Sequence, residues 1–140
     1  MEALKILERA VRDGYLLHGS RYRLDFIELR QANDKDKVSG NQFAVYATDN
    51  VRVSILHALF HPIKPEDWMS GYDSKEDGVL RVYGKNVTFE PGYVYFLPSA
   101  TFSRSEEDEF VSLHPVRPTK VITVSPEIVS CLNLQVEFSW

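Results

Sequence analysis

Short strand-like runs fill the second half of this 140-residue chain and constrain its fold more than any other feature. Each run is rich in β-branched or aromatic residues, and clusters of Gly, Pro and Asp separate one run from the next. The six runs are residues 79–83, 87–89, 93–97, 110–113, 120–124 and 134–138. Because no helical pattern alternates with them, they predict an α+β domain and argue against a βαβ fold.

The N-terminal segment predicts a helix followed by a strand. Residues 2–13 carry apolar side chains at the spacing of an amphipathic helix, and Gly14 is suited to end that helix. Residues 15–17 are apolar and predict a short buried strand. This strand leads into His18-Gly19, which we interpret as a turn that presents backbone amide groups.

A second strand and a second helix are predicted between residues 43 and 60. Residues 43–47 are apolar and predict a buried strand, after which Asp49 or Asn50 can cap a helix. We expect this helix to continue through about Phe60 and to end at His61-Pro62. One core helix would therefore follow directly behind a core strand.

The segment between the two predicted strands carries weaker signals. Residues 21–29 are compatible with either strand or helix, because their apolar positions fit both periods. Residues 31–40 are polar and rich in Asn, Asp, Lys and Gly, which predicts a loop.

Length and charge favour a single domain over residues 1–140 and limit its partners. A chain of 140 residues, 44% of them hydrophobic, can bury one compact core. Its formal net charge of −4 gives no general attraction toward phosphate backbones. Nucleic acid is therefore disfavoured as a partner, except where a local basic patch overrides the net charge.

Cysteine content and hydropathy indicate a cytoplasmic protein. Cys131 is the single cysteine, so it cannot form an internal disulfide, and nothing indicates an oxidising compartment. The first five residues, Met1-Glu2-Ala3-Leu4-Lys5, are typical of a charged helix and not of a signal peptide. No apolar run approaches the roughly 18 residues that a membrane span needs, so no membrane association is expected.

Two short segments carry groups that suit a flat ligand with a carboxamide. A backbone N–H and C=O pair can hold an amide, and Gly19 permits the close approach that this needs. His18, when neutral, can hydrogen-bond a hydroxyl group, and Ser20 offers a further donor. The ring of Tyr46 can stack on the ligand, which adds about 0.5–1.5 kcal/mol beyond area burial.

Two polar residues of the predicted core helix fall beside its apolar stripe. At about 100° per residue, Ser54 lies at the edge of the stripe and His57 lies one turn along the same flank. We expect both residues to face a cleft beside the His18 strand. His57 and His61 have the i, i+4 spacing that can suit a metal, but no Glu follows His57 to complete a zinc motif. No metal site is predicted.

These segments resemble the NAD-binding core of the ADP-ribosyltransferases, in the His-Tyr-Glu branch that includes the poly(ADP-ribose) polymerases and diphtheria toxin. His18-Gly19-Ser20 is similar to the His-Gly pair, commonly followed by Ser or Thr, that ends the first core strand of that family. Tyr46-Ala47-Thr48-Asp49 resembles the Tyr-Phe-Ala-Asp strand of the polymerases. Ser54, eight residues after Tyr46, matches the serine that contacts the carboxamide there. His57 stands where the polymerases have a second stacking tyrosine, and it departs from the pattern because an imidazole covers less area.

The third element of the family motif is a glutamate near the start of a later core strand. Glu109-Phe110-Val111 resembles the Glu-Tyr-Ile start of that strand, so the resemblance assigns the catalytic role to Glu109. Glu107, in the same acidic run, is the alternative. In the family this carboxylate polarises the nicotinamide ribose and stabilises an oxocarbenium-like transition state.

The resemblance implies a split, antiparallel-rich β-sheet core with an N-terminal helix and one core helix, and NAD as the substrate. The expected reaction is transfer of ADP-ribose to an unidentified acceptor (a protein, a nucleic acid or a small molecule), or NAD hydrolysis. Two alternatives stay open: a catalytically degenerate module of the same fold that binds a nucleotide or a protein, and a β-rich interaction domain unrelated to NAD. Convergence of His18, Tyr46 and Glu109 in a cleft would favour the enzyme, and a filled core around Tyr46 would favour the interaction domain.

Overall fold

The computed structural model describes residues 2–31, 43–62, 71–74, 78–84, 87–106 and 108–138. Two α-helices lie in this part of the chain, α1 (Glu2–Arg12) and α2 (Val51–Leu59), and a 3-10 helix spans Pro126–Cys131. The strands, in chain order, are β1 (Leu16–Ser20), β2 (Arg30–Gln31), β3 (Phe43–Ala47), β4 (Phe60–Pro62), β5 (Gly71–Ser74), β6 (Leu80–Gly84), β7 (Val87–Phe89), β8 (Gly92–Leu97), β9 (Phe102–Glu106), β10 (Glu109–Ser112), β11 (Lys120–Val124) and β12 (Leu134–Phe138). The prediction of an α+β protein with a strand-rich core and few helices is confirmed.

The described strands form four sheets, most of whose pairs are antiparallel. Sheets β1-β8-β11 and β2-β3-β10-β9 are antiparallel throughout. Sheet β12-β6-β5 contains a parallel pair, β12 with β6, and β4 pairs with β7. One backbone bridge joins β1 to the end of β3: Leu17 and Thr48 exchange two hydrogen bonds of 2.8 and 2.9 Å.

Helix α1 ends where the sequence predicts, and its termination is local. Gly14 has a φ of 95°, which favours glycine. The N–H of Gly14 donates to the Val11 carbonyl, and the N–H of Tyr15 donates to the Ala10 carbonyl, each at 3.0 Å. These two bonds form a Schellman motif, which turns the chain directly into β1.

Helix α2 begins at one of the two predicted caps and ends at Leu59, one residue before the predicted end at about Phe60. Asn50, and not Asp49, is the N-cap residue, and its side-chain oxygen accepts from the Val53 N–H at 3.3 Å. The helix ends at Leu59 because Phe60 starts β4 and pairs with Phe89. The Phe60 ring is fully buried and meets the Phe89 ring edge-on, with centroids 5.7 Å apart. Packing of this aromatic pair thus accompanies the end of the helix at Leu59.

Apart from β1, which continues three residues beyond its predicted end, the predicted strands agree with the observed bounds within about one residue, but four strands were not predicted. The predicted strands 43–47, 87–89, 120–124 and 134–138 have the expected bounds. The strands that the sequence did not predict are β2, β4, β5 and β9. Strand β9 shows the reason: it carries one apolar residue, Phe102, and forms through its pairing with β10. Such pairing is not local, so hydrophobic periodicity does not detect it.

The two faces of sheet β1-β8-β11 are covered by different layers. Helices α1 and α2 cover one face, which we call the helix side; its buried residues include Leu7, Leu17, Ile55, Ala58, Leu59, Val94 and Phe96. The other face, the coil side, buries Leu16, Ile27, Val45, Ala47, Tyr95, Leu97 and Val116. Residues 21–29 run across the coil side as irregular chain, so they adopt neither of the two predicted structures. Neither described helix is long and apolar enough to cross a membrane.

Candidate functional site

His18 and Gly19 lie inside a strand, so the prediction of a turn at this pair is wrong. In the antiparallel ladder between β1 and β8, His18 pairs with Tyr95 and Gly19 with Val94. Strand β1 continues to Ser20 because β8 extends far enough along the chain to pair with it. Only Gly19 of the pair presents its backbone groups away from β8, at a strand edge, because those of His18 point toward β8.

The backbone pairing between β1 and the end of β3 consists of one isolated bridge and stops next to Gly19. Among the described residues, Leu17 and Thr48 are the last pair that joins these strands. Alternate residues of an antiparallel strand direct their N–H and C=O groups to opposite sides. Gly19 therefore directs its N–H and C=O toward Tyr46, on the side where Leu17 meets Thr48. We call this place, where Gly19 faces Tyr46 without ladder pairing, the β1–β3 gap.

The imidazole of His18 occupies the position that a backbone donor would take in a continued ladder. Its Nδ1 lies 2.7 Å from the Tyr46 carbonyl oxygen. Because a carbonyl only accepts, Nδ1 carries the proton of the neutral ring. Desolvation by burial lowers the pKa of His18, the bond to Tyr46 opposes that shift, and the charge of Arg30 lowers the pKa further. His18 is thus held neutral, with Nε2 as an acceptor for a hydroxyl group.

Helix α2 packs directly onto the hydrogen atom that Gly19 has in place of a side chain. A Cβ built at Gly19 would overlap the Ser54 carbonyl oxygen and would lie 2.8 Å from the Ala58 nitrogen. Gly92 on β8 makes a similar approach, where a Cβ would overlap the Ala58 carbonyl. Both glycines are needed for close packing of helix against sheet, and α2 thereby forms one wall beside the gap.

Tyr46 and Glu109 lie on one face of the sheet that contains β3 and β10. Thr48 is opposite Leu17, whose side chain lies on the helix side. Tyr46 is two residues before Thr48 in the same extended chain, so its half-buried side chain also lies on the α2 side. Phe110 pairs with Ala47, which puts Glu109 across from Thr48 and on the same face as Tyr46. Residues at such diagonal positions are roughly 7–8 Å apart. Tyr46 is therefore not enclosed in a filled core, and a carboxylate stands near it.

A β-bulge holds the carboxylate of Glu109. In the pairing of β9 with β10, Glu109 is opposite Glu106 and Phe110 is opposite Arg104, which leaves Ser105 as the extra residue. The Ser105 hydroxyl lies 2.8 Å from Oε2 of Glu109 and 3.2 Å from its backbone carbonyl. Glu107, the alternative catalytic residue, lies outside the described residues.

Two of the remaining predicted binding residues, Ser20 and Ser54, use their hydroxyls within the fold. The buried Ser20 accepts a 3.1 Å hydrogen bond from the Tyr22 N–H. The buried Ser54 donates to the Val51 carbonyl at 2.7 Å, so its backbone oxygen and not its hydroxyl lies against Gly19. His57 is half-buried on α2 next to Gly19, and its Nε2 is buried. The roles of these residues at the carboxamide stay predictions.

Sequence reasoning missed two residues at this site, Arg30 and Ser105. Arg30 lies in β2 beside β3, and its positive charge lowers the pKa of His18. No local signal marks either residue, since strand pairing alone brings each of them to the site. A shallow depression of about 390 Å³ lies elsewhere, between the end of α1 and the rings of Phe102 and Phe110. Within the described ranges, no group of three His, Cys, Asp or Glu side chains could hold a metal ion.

The β1–β3 gap and the adjoining strand β10 carry four kinds of polar or aromatic group. They offer an N–H and C=O pair for a planar amide, a neutral imidazole as a hydroxyl acceptor, an aromatic ring and a carboxylate. Such a set suits a nucleotide with a carboxamide ring and a ribose. No family model, no curated protein and no solved structure matches this chain.

Proposed function

We propose that this protein is an ADP-ribosyltransferase-like domain with a split sheet, which binds NAD at the β1–β3 gap and cleaves its nicotinamide–ribose bond. The observation that carries the proposal is the edge of β1 at Gly19, beside a His18 imidazole that the Tyr46 carbonyl holds in one tautomer. The restriction of β1–β3 pairing to one bridge, between Leu17 and Thr48, supports a split between the two sheets.

Each binding group has a counterpart on the nucleotide. The carboxamide of NAD both donates and accepts, so it fits the N–H and C=O of Gly19. A ribose hydroxyl can donate to Nε2 of His18, because Nδ1 already carries the ring proton. The ring of Tyr46 lies on the α2 side of the gap and stacks on the nicotinamide, with His57 as the second contact. The family resemblance also implies carboxamide contacts from Ser20 and Ser54, although the fold already uses their hydroxyls in bonds with the Tyr22 N–H and the Val51 carbonyl.

Bond cleavage separates charge in a way that Glu109 can stabilise. The bond between C1′ and the nicotinamide nitrogen breaks, and its electron pair neutralises the pyridinium ring. Positive charge grows on the ribose, and a carboxylate held in advance near the 2′-hydroxyl stabilises it. Ser105 orients the carboxylate of Glu109, which reduces the reorganisation needed during the reaction. Water or another acceptor then bonds to C1′ and loses a proton.

Release of free nicotinamide from NAD by the purified protein tests this function. We expect Glu109→Gln to lower kcat by about 10²–10³-fold, as loss of a transition-state charge contact does elsewhere, with little change in NAD affinity. Glu8→Gln, an exposed change on α1, is the matched control and should leave turnover unchanged. Glu107→Gln, measured in parallel, distinguishes the two candidate carboxylates.

Three other outcomes would redirect the proposal. Loss of turnover in Glu107→Gln alone would move the catalytic role to that residue. NAD binding that depends on His18 and Tyr46, without nicotinamide release, would indicate the degenerate binding module. Absence of both binding and release would overturn the NAD proposal and favour an interaction domain.

A further inference from the structure

The coil side of the molecule carries exposed aromatic rings with arginines stacked on them. The guanidinium carbon of Arg21 lies 5.0 Å from the centroid of the Tyr22 ring, and that of Arg117 lies 4.7 Å from the Phe26 ring. Tyr22 is 49% exposed and Phe26 is 37% exposed, among the largest values for apolar side chains described here. Both stacked pairs therefore present planar surfaces to solvent.

This coil is fixed to the sheet beneath it, so the two stacked pairs form one defined surface. The hydroxyl of Tyr95 donates to the Tyr22 carbonyl and accepts from the Leu24 N–H, each at 2.6 Å. Further along, Ile27 and Val116 exchange backbone hydrogen bonds of 2.8 and 3.0 Å. Arg117 follows that bridge directly, which keeps its guanidinium beside Phe26.

Local charge on this surface has the opposite sign to that of the whole chain. Exposed arginines occupy positions 21, 23, 30 and 117, and the carboxylates of the same segment are Asp25 and Glu28. The chain as a whole carries a formal net charge of −4. The attraction for anions is thus concentrated on the coil side, where a local basic patch overrides the net charge. We call this set (Arg21, Tyr22, Arg23, Phe26, Arg30 and Arg117) the arginine–aromatic surface.

We infer that the arginine–aromatic surface binds single-stranded nucleic acid, and that the bound strand is the acceptor of ADP-ribose. Unpaired bases stack on aromatic rings and on guanidinium planes, and arginines also neutralise the phosphates. An acidic protein partner would use the charges but would not need two exposed stacking surfaces. The assignment of the strand as acceptor rests on the proposed function, whereas its binding does not.

The surface leads directly to the proposed active site. Arg21 follows the last residue of β1, two positions after Gly19, and the charge of Arg30 reaches His18 from β2. A strand on this surface would therefore lie near the β1–β3 gap. An N–H or O–H group of a nucleotide would bond to C1′ as nicotinamide leaves with the electron pair of the broken bond, and its proton would pass to water.

Fluorescence anisotropy with labelled oligo(dT) and oligo(rU) of roughly 12 nucleotides tests the binding. At about 50 mM salt, we expect Arg21→Gln/Arg117→Gln to weaken binding about ten-fold or more and to reduce the slope of log K against log salt by about 1.4. Arg9→Gln/Arg12→Gln removes the same charge from α1 on the helix side and should change affinity less than about two-fold. Tyr22→Ala should weaken binding at least about five-fold with the salt slope unchanged, because it removes stacking and not charge.

The outcomes separate this inference from the proposed function. No saturable binding by the wild-type protein, or equal losses in the two arginine pairs, would overturn the nucleic-acid surface. Equal affinity for heparin together with no effect of Tyr22→Ala would likewise overturn it in favour of a general polyanion site. Transfer of label from radioactive NAD to the oligonucleotide would support the acceptor assignment. NAD cleavage without label transfer would overturn that assignment alone. Oligonucleotide binding without NAD cleavage would refute the proposed function and the acceptor assignment that rests on it, and would leave the nucleic-acid surface supported.

Discussion

The two faces of sheet β1-β8-β11 are held by different kinds of interaction. On the helix side, α2 contacts the backbone of the sheet at Gly19 and Gly92, so shape complementarity determines the packing. On the coil side, irregular chain is held by the Tyr95 hydroxyl and by one backbone bridge at Ile27. The first face is built from regular elements and the second from individual hydrogen bonds.

This difference separates the stability of the fold from its surface chemistry. On the helix side, α2 approaches the sheet so closely that the contact needs glycine and tolerates no added atoms. A face covered by coil can display arginines and aromatic rings outward, because few of its side chains are needed for packing. The edge of β1 lies between the two faces, and the proposed NAD site is at this edge. Four substitutions test whether the two faces behave as described.

The largest effect is expected for Gly19→Ala, on the helix side. The added methyl group would overlap the Ser54 carbonyl, which is backbone and cannot move without shifting α2. We expect a loss of about 3 kcal/mol or more in the free energy of unfolding, measured by urea denaturation. Gly14→Ala is the control: nothing lies within 4 Å of a Cβ there, and only its φ of 95° is unfavourable, so about 1–2 kcal/mol should be lost. Equal losses in the two variants would show that α2 does not press on β1.

The next effect is expected for Tyr95→Phe, on the coil side. The change removes the hydroxyl that bonds the Tyr22 carbonyl and the Leu24 N–H, and both backbone groups lose their partner. We expect a loss of about 2 kcal/mol in unfolding free energy and faster amide exchange at Leu24. Tyr93→Phe, on the same strand and with its ring 6.5 Å away, should cost less than about 0.5 kcal/mol. Unchanged exchange at Leu24 would contradict the anchoring role of Tyr95.

A smaller effect is expected for Asn50→Ala, which removes the cap of α2. The Asn50 side chain accepts from the Val53 N–H, and its loss should lower the unfolding free energy by about 1 kcal/mol. Ser125→Ala is a useful comparison, because Ser125 precedes the 3-10 helix but makes no side-chain cap bond. Thermal or urea unfolding should show a clearly smaller change there, and equal changes would argue against the cap.

The smallest effect is expected from the pH dependence that His18 contributes. Burial lowers the pKa of His18 below its ordinary value of 6.5, so the unfolded chain takes up this proton at a higher pH than the folded chain. The contribution of neutral His18 to the free energy of unfolding is therefore fully present above pH 6.5. It is lost as the pH falls from there toward the pKa of His18 in the folded protein. In urea unfolding across this range, His18→Gln should lose stability less steeply with falling pH than the wild-type protein. His114→Gln, at an exposed position, should keep the wild-type slope.

Much of the fold, and less of the site, could be predicted from the sequence. The helix over residues 2–13 and a helix cap at Asp49 or Asn50 were predicted because helix periodicity and capping act within a few residues, and the structure selects Asn50. The site residues His18, Tyr46 and Glu109 were singled out by resemblance, and their register relative to one another was not available from any local pattern. The predicted turn at His18-Gly19 was wrong for the same reason, since pairing with β8 decides whether that pair is extended.

The sequence by itself determined the fold class, the two helices, the glycine that ends the first of them, and most of the strands. These features depend on short-range interactions that any stretch of about ten residues contains. Only the tertiary structure decided that pairing between β1 and β3 is limited to the bridge of Leu17 with Thr48. It likewise decided that Ser105 bonds the carboxylate of Glu109, and that arginines stack on Tyr22 and Phe26. Each of these arises where segments distant in the chain meet, and which segments meet is settled by the packing of the whole core.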